Sequence, residues 1–97
     1  MNKPASVCTL VRRALKLQGR TVHSGRGFFH MDHDVNATEL ERRMRAAIVE
    51  WKTKGLVESV TVHAGRTEQV RFVENMTQDG YYRTVVWTAH GELWVTM

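Results

Sequence analysis

At 97 residues, 42% of them hydrophobic and 25% charged, the chain supports one small globular domain and excludes both a disordered chain and two independent cores. Its single cysteine, Cys8, excludes an internal disulfide and a cysteine-rich zinc site, and no apolar run is long enough to cross a membrane. The net charge of +4 is uneven: residues 1–55 carry eleven Lys or Arg against five Asp or Glu, whereas residues 56–97 carry three against five.

The first helix is expected from about Val7 to Gln18. Ser6 can cap it, Val7, Leu10, Val11, Ala14 and Leu15 share one face, and Gly19 supplies a stop. Arg12, Arg13 and Lys16 lie off that apolar stripe and face water or a partner. Cys8 reads as a small apolar side chain, in keeping with a reducing compartment. Because Arg12 and Arg13 interrupt the apolar stretch, it lacks the core of a signal peptide, and a cytoplasmic location is expected.

Between Gly19 and Asn36 the periodicity lapses. Gly19, Gly25 and Gly27 alternate with Arg20, Ser24 and Arg26, the pattern of a basic loop, followed by a short apolar patch at Phe28, Phe29 and Met31 that returns to the core. His30, Asp32, His33 and Asp34 form an acid-histidine cluster with ligand types suited to zinc or manganese. Solvated polar residues ahead of a helix are the commoner explanation, so no metal or other cofactor is assigned.

The second helix begins at Asn36 or Thr38, either of which can cap it with Glu39 or Glu41 three residues on. Leu40, Met44, Ala47, Ile48 and Trp51 make one apolar stripe, and Gly55 closes the helix after Lys52 and Lys54. From Leu56 the period changes to two. Val60 and Val62, then Val70 and Phe72, flank a loop at residues 64–67, and a second hairpin runs from Tyr81 to Thr88, turns at His90-Gly91, and returns from Glu92 to Met97. The expected fold is therefore a single α+β domain over residues 1–97, with two amphipathic helices on an antiparallel sheet of two C-terminal hairpins.

The segment from about Thr38 to Val73 resembles the second half of a winged helix-turn-helix domain. The residues that carry the likeness are the helix ending in Trp51-Lys52-Thr53-Lys54-Gly55-Leu56-Val57-Glu58 and the strand, Gly65-Arg66 loop and strand that follow. The resemblance implies a helix that reads a groove and a hairpin tip that touches phosphate, with Arg42, Arg43 and Arg45 at the groove and Arg66 at the tip. Glu39–Arg43 and Glu41–Arg45 also fit ion pairs along a solvated helix face.

No nucleophile arrangement or phosphate-cradling loop stands out, so an enzyme is not expected; a metal-dependent activity at His30–Asp34 ranks third. The leading expectation is a small DNA-binding regulator, with DNA favoured over RNA. It contacts phosphates through Arg12, Arg13, Lys16, Arg20, Arg26, Arg42, Arg43, Arg45 and Arg66. The alternative is a small phage-type interaction or inhibitor protein that docks on a host protein complex, or on a second copy of itself. With a two-residue turn at His90-Gly91, Trp87 pairs with Trp94, and Tyr81 and Arg83 join them on one sheet face, which is either displayed as the docking surface or turned into the core.

Overall fold

A computed structural model describes residues 6–24, 27–63, 67–73 and 84–96. The first helix, α1 (Val7–Leu15), begins where the Ser6 hydroxyl accepts a hydrogen bond from the Thr9 amide at 3.3 Å. It ends three residues earlier than the apolar pattern suggests. Lys16 adopts a left-handed conformation (φ 53°, ψ 45°), and the Leu17 amide folds back onto the Arg12 carbonyl at 3.0 Å. This six-to-one closure satisfies an end carbonyl and turns Leu17 into the core.

The segment expected to be a basic loop contains a hairpin, which corrects the two-hairpin sheet. Strand β1 (Thr21–Ser24) pairs antiparallel with β2 (Phe28–Met31). Met31 faces inward and is fully buried, in line with the apolar patch returning to the core. Gly19 stands at the entry to this hairpin with φ +120°, and a Cβ there would lie 2.4 Å from the Asp32 carbonyl oxygen. Both the backbone angle and the clash reject a side chain, so Gly19→Ala should destabilise the fold by about 3 kcal/mol, measured by urea unfolding.

Helix α2 (Ala37–Thr53) follows the sequence closely. The Asn36 side chain accepts from the Glu39 amide at 2.8 Å, and Leu40, Met44, Ala47, Ile48 and Trp51 are buried. The remaining strands are β3 (Val57–His63), β4 (Thr67–Phe72), β5 (Thr84–Thr88) and β6 (Leu93–Thr96). The sheet is antiparallel throughout, in the order β1-β2-β6-β5-β4-β3. It is a four-strand meander whose last strand joins the N-terminal hairpin. Helix α2 therefore leaves near one side of the sheet and delivers the chain to the far edge. Its 17 residues span about 25 Å, enough for the four strand spacings of about 4.8 Å that separate β2 from β3.

One core lies between the helices and a single sheet face. Val7, Val11 and Leu15 of α1 and the α2 stripe join Met31, Val70, Phe72, Val85, Trp87, Leu93 and Val95 in it. The rings of Trp51 and Phe72 meet at 5.1 Å. Two helices on an antiparallel sheet are thus the observed fold, with a hairpin more than the sequence suggested.

The β5–β6 register overturns the expected pairing of Trp87 with Trp94. Trp87 lies opposite Leu93, and Trp94 lies opposite Val86. The loop has three residues, not two: the Gly91 amide donates to the Thr88 carbonyl at 3.0 Å, and Gly91 takes φ +87°. One extra loop residue slides one strand by one position, which sends every side chain of that strand to the other face. Trp87 is consequently core, at 4% exposure, and Trp94 lies on the opposite face. Tyr81 and Arg83 lie outside the described residues.

Candidate nucleic-acid interface

The last turn of α1 meets the first turns of α2. Arg43 makes the joint: its Nη1 donates to the Leu15 carbonyl at 2.9 Å and reaches the Lys16 carbonyl at 3.5 Å. A guanidinium is well placed there, because the exposed carbonyls at a helix end carry partial negative charge. Lys16, the C-cap of α1, is thereby brought to the same groove as Arg43 of α2, with Arg42 beside it on Glu39 and with Arg12 and Arg13 in the neighbouring last turn of α1. Arg13, Lys16 and Arg42 are exposed. A groove of about 400 Å³ runs beside them, lined by Lys16, Arg43, Asn36, Asp34 and Glu39 among others.

Glu39 is the counter-ion of this surface. It accepts from Arg42 Nε at 3.1 and 3.0 Å through its two carboxylate oxygens, from Arg42 Nη2, and from Arg43 Nε at 3.1 Å. The hydrogen bonds from Arg42, then those from Arg43, push the carboxyl down from 4.5 to about 2. A carboxyl depressed in the folded state stabilises the fold above its unfolded value, and that contribution fades as the pH falls from 4.5 towards 2. Acid-dependent urea unfolding should therefore show this loss, and Glu39→Gln should flatten it within that window.

Of the other expected phosphate contacts, Arg45 is engaged in ion pairs of its own. It is tied to Glu41 at 3.4 Å and to Glu68 on β4, with its guanidinium 6.0 Å from the Trp87 ring centroid. It braces α2 against the sheet. Arg20 is exposed beside the β1–β2 hairpin, where its carbonyl accepts from the Asp32 amide at 3.2 Å. Arg26 and Arg66 lie outside the described residues.

The acid-histidine cluster is dispersed. His33 Nδ1 accepts from the Val35 amide at 3.1 Å, which leaves Nε2 to donate to the Gly91 carbonyl at 2.8 Å. His33 thus pins the approach to α2 onto the β5–β6 turn. His30 lies on the other side of the sheet, 4.7 Å from the Trp94 ring. Among the described residues no three His, Cys, Asp or Glu side chains converge on a point where a metal ion would sit.

Sequence reasoning missed the aromatic group on the open sheet face. Phe28 and His30 alternate along β2 and both touch Trp94, Phe28 with its ring edge-on at 6.3 Å and 82°. The period-two pair Phe28 and His30 was legible in the sequence, but only the β2–β6 pairing brings them to Trp94.

The protein is therefore an α+β domain with a cationic helix layer and an aromatic sheet face. No protein-family model matches the chain, and no curated protein or solved structure matches it. Among the described residues, no helix is long and apolar enough to cross a membrane.

Proposed function

We propose that this protein is a small DNA-binding regulator that holds backbone phosphates against its helix layer. The observation that supports it best is the meeting of α1 and α2 at Arg43, which sets Lys16, Arg42 and Arg43 around a groove that also holds Asp34 and Glu39, next to the helix turn that carries Arg12 and Arg13. Helix N-termini, here that of α2, and guanidinium groups are the usual partners of phosphate oxygens. Sequence reading falls to the exposed side of α2, as in the winged-helix domains that residues 38–73 resemble.

The test is titration of labelled duplex DNA, single-stranded DNA and RNA at low and moderate salt. Five phosphate contacts correspond to a slope of about −4 to −5 in log affinity against log salt on duplex DNA. Duplex preferred over single strands, with a slope of that order, supports groove binding by the helix layer. No binding at low salt sinks the reading. Glu39→Gln gives an independent check, because releasing Arg42 and Arg43 from their carboxylate should tighten binding several-fold.

A further inference from the structure

We propose that Arg43 is a positioning residue, whose guanidinium sets the C-terminal end of α1, and with it Lys16, on the phosphate-binding surface. That role presupposes the DNA-binding function proposed above. Charge alone does not distinguish Arg43 from its neighbour Arg42, but their surroundings do. The side chain of Arg42 is 70% exposed and held by Glu39, whereas that of Arg43 is 30% exposed and reaches a second helix.

The need for such a residue begins in α1. The helix stops at Leu15, so the Leu15 and Lys16 carbonyls have no following turn to supply their donors. Lys16 stands there in the left-handed conformation, which a Cβ disfavours and which glycine usually provides. Leu17 holds the turn from one side, by its burial and by its amide bond to the Arg12 carbonyl at 3.0 Å. Arg43 holds it from the other, where Nη1 donates to the Leu15 carbonyl at 2.9 Å and reaches the Lys16 carbonyl at 3.5 Å. The partial negative charge of a helix end favours a cation at this point.

Glu39 aims the fork, because it accepts from Arg43 Nε at 3.1 Å while Nη1 is directed at α1. A planar guanidinium makes both contacts at once. A lysine carries the same charge at a single point and makes one or the other. Leu15 is buried in the core with Val7 and Val11, so α1 keeps its place when the fork is lost and only its end loosens. Lys16 then loses its fixed position beside the groove that it lines with Arg43 and Asn36.

Arg43→Lys separates geometry from charge. Duplex affinity, read by fluorescence anisotropy, should fall about tenfold at about 0.1 M salt. The slope of log affinity against log salt should stay at the wild-type value, because the charge is kept. Amide exchange at Leu17, followed by NMR with no DNA present, should quicken about tenfold in the same variant. Should circular dichroism show that Arg43→Lys is unfolded, the wild type still decides. Rotation about the Arg43 Cζ–Nη1 bond, read by heteronuclear NMR of the guanidinium, should be slow beside that of the exposed Arg13. Retained affinity in Arg43→Lys, a slope that falls by about 0.9, unchanged Leu17 exchange or a freely rotating Arg43 would each overturn the inference. Failure of the wild type to bind duplex at low salt would overturn the proposed function and, with it, the purpose assigned to Arg43. Binding that survives Arg43→Lys undiminished would overturn the positioning role alone.

Discussion

Trp87→Ala should cost about 3–5 kcal/mol of stability, whereas Trp94→Ala should cost about 1–2 kcal/mol. The two residues are seven apart on one hairpin and differ only in which face they occupy. Trp87 is 4% exposed and packs in the same core as Trp51, Phe72 and Leu93, so its removal leaves a cavity that rigid neighbours fill poorly. Arg45 also loses the ring beneath its guanidinium. Trp94 touches Phe28 and His30 at an open surface, where water replaces the lost ring. A domain of this size is typically stable by about 5–15 kcal/mol, so the first change removes a large share and the second does not. Urea unfolding of both variants measures the difference. Equal losses would mean that the two indoles share a face and that the hairpin turns through two residues.

Arg13→Glu combined with Lys16→Glu should lower affinity for duplex DNA about 100-fold at about 0.1 M salt, and should reduce the salt slope by about 2. Both side chains are exposed at the C-terminal end of α1, so the fold should survive the exchange. The same double change on Arg45 and Arg71 should do far less. Arg45 already faces Glu41 and Glu68, and Arg71 faces Glu58 on the opposite side of the sheet. Fluorescence anisotropy with labelled duplexes compares the two pairs directly. Equal effects would show that binding follows net charge alone and is not localised to the junction of α1 and α2.

Local rules read much of this fold. The Ser6 and Asn36 caps, the α2 stripe from Leu40 to Trp51, and the β3–β4 hairpin all follow from helical or strand period and capping chemistry within a few residues. The cationic character of the first half is likewise a property of composition. The early end of α1 was less legible, because a left-handed Lys16 is chosen by the burial of Leu17 and not by any propensity of lysine. The β1–β2 hairpin was obscured by its glycines and by strands of only four residues.

Composition, period and capping by themselves determined that this protein is one α+β domain with two amphipathic helices, C-terminal hairpins and a cationic first half. Only the tertiary structure decided which of those cations share a surface, because Arg43 and Leu15 are 28 residues apart and meet through helix packing alone. It alone decided the fates of Trp87 and Trp94. The letters His90-Gly91 fit a two-residue or a three-residue loop, and a strand of period two carries no mark of its own face. The choice is made by what lies against the sheet: α1 and α2 cover one side, so the register that buries Val85, Trp87, Leu93 and Val95 there prevails, and Trp94 is left facing out.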